Sequence, residues 1–459
     1  MRLRRLIPFL LVSAWTLPAL AQDTPPPSPP AGDRAPREDE GAADRPGDAA
    51  AQPTDPARAG DTDAPAVPLD EIRRYVAVYN AVKQAYVEPV EDADLMQSAI
   101  RGLLLDLDPH SVYLDKADAE DFDDNARGAY DGVGVELQRL PDGTLQVIAP
   151  IDDTPAARAG LRAGDRIVAI DGEPLQADES DSSAPLRGPA GSQVALTIER
   201  EGRETPLEVT ITRETIRITS VRSRMLEPGY GYMRVAAFQA DTAADFATQV
   251  DALKAQAGGT LRGLVIDVRS NPGGLLTSAV QIADELLEEG EIVATRGRLA
   301  ISDASFSATA GDRLDGAPVV VLVDAGSASA AEVLAGALRD NDRARVVGSR
   351  TFGKGSVQTV LPLDNGDSVK LTTARYYTPS GRSIQAQGIV PDVVLKAENG
   401  DGEPVRPSFS EASLPGHLQG DDETLAGKNA GEVLDGARYI DAALAELKRA
   451  AATAAAPSR

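Results

Sequence analysis

From Leu69 onward the apolar residues fall at helical spacing, with Ile72, Val76, Tyr79, Val82 and Tyr86 on one face, and a second helix is predicted over 94–107. D-P-H-S-V-Y-L closes this pair, and the acidic run over 115–124 predicts a solvated helix. From Tyr130 to about Arg213 the pattern shortens to strands and glycine turns. After a connecting strand over 216–221 it alternates. G-Y-G-Y-M-R-V-A-A-F is a strand, Thr242–Gln256 a helix, L-R-G-L-V-I-D-V-R a buried strand, 277–287 a helix and 291–295 a strand. A continuous apolar, β-branched run over 317–323, bounded by Gly316 and Asp324, predicts another buried strand. Small residues then turn directly into a helix carrying Val333, Leu334, Ala337 and Leu338. T-V-L-P-L and S-V-K-L-T-T-A-R-Y-Y flank D-N-G-D, a hairpin signal. Val433, Ala437, Ile440, Leu444 and Leu447 place one apolar stripe on a terminal helix, suited to docking or self-association. The fold class is α/β and multidomain.

Composition bounds the partners. The chain has 459 residues, enough for two or three domains, and its 42% hydrophobic content supports real cores. A net charge of −25 argues against nucleic acid or anionic lipid as the main partner. There is no cysteine, so disulfides, thiolate metal sites and cysteine nucleophiles are excluded. Only two histidines occur, His110 and His417, both in weak contexts for a Ser-His-Asp triad. His110 near Asp106 and Asp108 reads as a capped turn after a helix, and no metal or other cofactor is expected.

Residues 1–21 read as a targeting segment. Arg2, Arg4 and Arg5 precede an apolar stretch that Pro8 and Pro18 interrupt, and Ala19-Leu20-Ala21 is a small-x-small cleavage site. The expectation is an exported protein beginning at Gln22, periplasmic in a Gram-negative source, with no stable membrane span. Mass spectrometry of the exported protein finding Met1 to Ala21 retained overturns it. Residues 22–67, rich in Pro, Ala and Asp without one aromatic, read as a disordered linker. The remaining boundaries are a helical segment over 68–128, a β-rich module over 129–214, an α/β core over 215–396, a loose polar, Gly-rich segment over 397–430 and a C-terminal helix over 431–459.

The candidate chemistry lies where the buried strand at 317–323 meets its helix. Ser329 sits at that helix's N-terminal end, among free N–H groups and the positive end of the helix dipole. Alone it could be an N-cap. Lys354, in a Gly353-Lys354-Gly355 loop, and Gln358 follow it. The segments G-S-A-S-A-A-E and T-F-G-K-G-S-V-Q together resemble the Ser/Lys active site of the carboxyl-terminal processing peptidases, also called tail-specific proteases. This resemblance covers roughly 69–395 and implies a crotonase-like (ClpP/crotonase-type) protease core. One departure is Ala331, where relatives often carry serine. D-V-R-S-N-P-G-G matches the family segment that supplies one oxyanion donor, here Gly273 or Gly274. The other implied donor is the Ala330 N–H. A-G-L-R-A-G-D-R-I-V-A-I-D-G, with its flanking segments, resembles a circularly permuted bacterial PDZ domain inserted in the chain. In it Gly132, Val133, Gly134 and Val135 are the implied cradle for a C-terminal carboxylate.

The resemblance implies a serine endopeptidase that recognises protein C-terminal tails and needs no cofactor. Ser329 would be nucleophile and Lys354 its base, made neutral by burial, while Gln358 would orient the amine without adding charge. A noncatalytic PDZ-containing scaffold or chaperone of the cell envelope is the alternative. An acyl-CoA-handling enzyme on a related fold finds no support, because it has no use for the Ser/Lys pair. The natural substrates, any adaptor protein and any homo-oligomer stay open.

Overall fold

The computed structural model describes residues 68–176, 183–397, 410–421 and 431–454, so the expected targeting segment and linker lie outside the described residues. Contacts divide the chain into two units, Met1–Val76 and Ala77–Arg459. Of the first, the start of the helix Leu69–Ala85 is described, with exposed ion pairs Arg73–Asp70 and Arg74–Glu71. No residue of this helix is buried, and its predicted apolar face leaves Ile72, Val76 and Tyr86 exposed. Among the described residues no helix is long and apolar enough to cross a membrane.

In the second unit a six-stranded sheet runs in the order Val221–Glu227, Tyr230–Val235, Gly263–Asp267, Val319–Val323, Ala344–Gly348, Val393–Val394. The first pair is antiparallel and the rest are parallel. Strand side chains alternate between faces, so one β-branched run can feed two cores. Val319, Val321 and Val323 pack with the helices Thr242–Gln256, Leu276–Asp284 and Ala330–Asp340. Val320 and Leu322 face the other way, onto Tyr439, Ile440, Ala443, Leu444 and Leu447 of the terminal helix Arg438–Ala454. That helix's apolar stripe is therefore docked on the sheet of its own chain.

A second, antiparallel sheet carries part of the site. Ser368–Tyr377 pairs with Val112–Leu114, Glu291–Gly297 and Ser356–Pro362. Its pairing with Ser356–Pro362 shifts register between Val357 and Gln358, and such a bulge re-aims side chains. The 129–214 module has a separate core around Val147, Ile167, Leu196 and Ile198. Its main sheet runs Val135–Arg139, Leu145–Pro150, Arg166–Ile170, Gln193–Glu199, Leu207–Thr212, so that among the described residues Val135–Arg139 is an edge strand.

Several predicted bounds move. The second helix is Asp92–Leu105, not 94–107, and the acidic helix is Lys116–Arg127, with Asp115 capping it by accepting the Asp118 N–H. The loose segment expected over 397–430 is corrected where it is described: Ser410, Glu411 and Ala412 are buried, and Glu411 N–H donates to the Phe352 carbonyl at 3.0 Å. A buried carboxylate anchors that stretch, which its polar, Gly-rich composition hides.

Candidate active site

Two strand-to-helix corners meet at Ser329. The buried Asp324 carboxylate ends the strand Val319–Val323 and accepts N–H groups from Ser270 (2.7 Å), Gly326 (2.9 Å) and Leu434 (3.2 Å). Ser327 Oγ donates to the Val268 carbonyl (2.7 Å), and Ala328 N–H to the Asn271 carbonyl (2.9 Å). These bonds lay the 268–275 corner against the 324–330 corner. A Cβ on Gly273 would come within 2.8 Å of Ser329 Cβ, and one on Gly274 within 2.1 Å of the Phe238 carbonyl oxygen. Both positions therefore exclude any larger residue.

Ser329 adopts φ 55° and ψ −116°, a conformation of positive φ in which a non-glycine residue stores about 1–3 kcal/mol of strain. Its N–H donates to Glu332 Oε2 at 2.8 Å. The same carboxylate accepts Thr351 Oγ1 (2.5 Å), Gly353 N–H (2.7 Å) and Lys354 N–H (2.9 Å). Glu332 is fully buried and thus fixes the serine corner to the lysine loop. Burial pushes its carboxyl up to about 7, against the hydrogen bonds that favour the carboxylate.

Lys354 is drawn down to about 8 by burial, with the charge of Glu411 the largest effect opposing it. Its Nζ donates to Gln358 Oε1 and to the Ser356 carbonyl at 3.5 Å. Gln358 Nε2 in turn donates to Ser356 Oγ (3.0 Å) and Thr372 Oγ1 (3.2 Å), fixing which end of the amide meets the amine. No hydrogen bond joins Lys354 to Ser329 among the described residues. The phenol of Tyr376 lies near the serine side chain, and burial raises it to about 12.

Asn271 Oδ1 takes the Gly273 N–H at 2.8 Å. The N–H groups of Gly274 and Ala330 meet no acceptor among the described residues, and Ala330 N lies 3.1 Å from where a Gly273 Cβ would stand. In the 129–214 module Gly134 has φ 77°, and its carbonyl accepts Thr154 Oγ1 (2.9 Å) and the Ile151 N–H (3.1 Å). The amides of Val133 and Gly134 meet no acceptor among the described residues. Gly132 and Val135 continue into the flanking strands.

Sequence reasoning singled out Ser329, Lys354 and Gln358 but missed Glu332, Tyr376 and Glu411. Glu332 had a signal, since an acid three residues after an N-capping serine is a capping box. Tyr376 looked like one more aromatic strand position. His110 was read as part of a turn; Asp108 does accept its N–H (2.9 Å), yet its Nε2 lies 2.8 Å from Glu411 Oε2.

A serine on a strained strand-to-helix corner, a buried lysine whose backbone is tied to it through Glu332, and a separate β-rich module suit a serine-type peptidase with a PDZ domain. Residues 229–395 match the profile of peptidase family S41, residues 146–200 that of a PDZ domain, and residues 44–118 that of the activating protease CtpB N-terminal domain. The last match begins within the stretch read as linker. The chain is 41% identical over 365 residues to a carboxy-terminal-processing protease of Bartonella bacilliformis, covering 78% of this chain and 83% of that one. It is 35% identical over 334 residues to the carboxy-terminal processing protease CtpB of Bacillus subtilis, covering 72% and 68%. Among solved structures it is similar to a photosystem II D1 C-terminal processing protease, at 33% identity and TM-score 0.42, covering 72% and 94%. The chain belongs to the carboxy-terminal processing proteases of peptidase family S41.

Proposed function

We propose that this peptidase cleaves protein substrates near their C-termini, with Ser329 as nucleophile and Lys354 as general base, on a core of the crotonase type. The observation that carries the reading is the single buried carboxylate of Glu332, which holds the backbone of both residues at once. Attack requires Ser329 Oγ to turn toward Lys354 and pass its proton to a neutral amine that Gln358 orients. The tetrahedral oxyanion would be held by the free N–H groups of Gly274 and Ala330, and the Lys354 ammonium would return its proton to the leaving amine. Water would then hydrolyse the acyl-enzyme by the same route.

A phosphonylating probe is expected to mark Ser329 in the full chain. Ser329→Ala and Lys354→Ala should each abolish cleavage of a quenched-fluorescence peptide nearly as fully as the double variant, because residues acting as a unit are not additive. Cleavage at the wild-type rate by folded Lys354→Ala rules out the lysine base.

Tail selection is assigned to the edge strand that begins at Val135 and to the amides of Val133 and Gly134, which meet no acceptor among the described residues and would take the terminal carboxylate while the tail adds as a strand. Amidating the substrate's C-terminus should then lower kcat/KM by about tenfold or more, the scale of a lost charge-assisted hydrogen bond. Equal turnover of acid and amide removes the module from substrate selection. The edge strand also offers a scaffold a place to bind, but a scaffold has no use for a lysine held close to neutrality.

A further inference from the structure

Glu411 lies far from Lys354 in sequence and is completely buried beside the lysine loop. Its N–H donates to Phe352 O (3.0 Å), Oε1 accepts Gln385 Nε2 (3.0 Å) and Oε2 pairs with His110 Nε2 (2.8 Å). Gln385 Oε1 accepts the Gly355 N–H at 3.0 Å, so one side chain ties Glu411 to the residue next to the base. Gln385 Nε2 also donates to the Leu418 carbonyl (2.9 Å), and Arg375 pairs with Asp421 (2.8 Å), which fastens the far end of the 410–421 stretch. A side chain held at both oxygens has little freedom to turn its charge away.

We propose that Glu411, fixed by His110 and Gln385, is a positioning residue for the general base: its buried carboxylate acts through space to bias the Lys354 amine toward the ammonium form. The proposal rests on Lys354 being that base.

The groups around Lys354 can be set out by element. Gln358 and Ser356 contact the amine from the strand Ser356–Pro362. Lys370, on Ser368–Tyr377, opposes its charge, while Glu332 on the nucleophile helix and Asp108 on the 106–111 turn favour it, both with less effect than Glu411. Glu332 and Asp108 are each spent on other partners: Glu332 accepts four donors, and Asp108 accepts Ser111 Oγ (2.6 Å) and Thr372 Oγ1 (3.0 Å) along with two backbone amides. Among the described residues the Glu411 carboxylate meets two side chains, the Gln385 amide and His110, fewer partners than Glu332 or Asp108 hold, and the His110 contact moderates its influence on the lysine. The cleavage rate depends on the fraction of Lys354 that is neutral, so the carboxylate should set the pH at which the enzyme switches on.

The test is kcat/KM against pH for the full chain on a quenched peptide with a free C-terminus, for wild type, Glu411→Gln, Glu411→Asp and His110→Ala, each checked by circular dichroism. Glu411→Gln keeps the shape and one accepting oxygen but removes the charge. Its midpoint should fall by roughly 0.5 to 1 pH unit, the scale of a nearby charge. Glu411→Asp restores the charge and should bring the midpoint back toward wild type. His110→Ala leaves the carboxylate without its donor and should move the midpoint the other way, to higher pH. A merely structural role would lower rates in all three without moving the midpoint. Natively folded Glu411→Gln with the wild-type midpoint overturns the proposal. Where Glu411→Gln does not hold its fold, an unmoved midpoint in His110→Ala overturns it. Full activity in Lys354→Ala defeats the base assignment itself, whereas an inactive Lys354→Ala with an unmoved Glu411→Gln midpoint defeats this proposal alone.

Discussion

At Lys354 the burial that draws the amine from 10.5 to about 8 works against the fold. Below pH 8 the folded chain holds an ammonium in surroundings that the unfolded chain would exchange for water. That penalty fades as pH climbs from about 8 toward 10.5, because the folded form there has already released the proton that the unfolded form still binds. At about 1.4 kcal/mol per pH unit, the interval of 10.5 to about 8 makes the penalty on the order of 3 kcal/mol at neutral pH. Lys354→Met should accordingly raise thermal stability at pH 7, show much less gain at pH 10, and have no activity. Melting curves at the two pH values check this, and a stability gain that does not change with pH contradicts it. Glu332 has the opposite sign. Its carboxyl is raised from 4.5 to about 7, so the stability it contributes is complete below 4.5, declines as pH rises toward 7 and is lost above that. Wild-type activity should rise through about 8 as Lys354 loses its proton, which places catalysis above the range where Glu332 is comfortably neutral.

At the scale of elements, much of the architecture was legible because each strand and helix carries its own period. The helix Thr242–Gln256 and the strand Ser368–Tyr377 occur over the residues the pattern marks. What was not legible comes from pairing between distant segments. The bulge at Gln358 depends on the register against Ser368–Tyr377, which the pattern of neither strand encodes. Tyr376 comes near Ser329 because Ser368–Tyr377 lies across the Ser329 corner. Glu411 could not be linked to Lys354 from composition, since buried carboxylates and solvated ones read alike in sequence. The corners themselves give a sharp prediction. Gly274→Ala puts a Cβ 2.1 Å from Phe238 O, on a backbone with φ 134°, and should abolish activity and lower Tm by several degrees. Gly311→Ala, at φ 140° but with nothing within 4 Å of its Cβ, carries only the conformational strain and should keep its activity. Equal effects from the two changes would show that the close packing at Gly274 is irrelevant.

Across the molecule, the PDZ module and the α/β core keep separate hydrophobic interiors, one built around Leu196 and Ile198 and the other around Ile266 and Val321. The Asp324 carboxylate links the Ser329 corner to Leu434, which precedes the sheet-docked C-terminal helix. The place of Val135–Arg139 at the border of its sheet has a colloidal consequence. A border strand proposed to take a substrate tail can as readily accept a strand from a second molecule. Mutual repulsion between chains of net charge −25 keeps such encounters rare at low ionic strength, and salt screens that repulsion to within about 8 Å at physiological strength. Concentrated protein should therefore scatter more light as salt is added, and a short peptide with a free C-terminus should clear the excess while its amide does not. Scattering indifferent to both peptides would mean that this border stays out of crowding altogether.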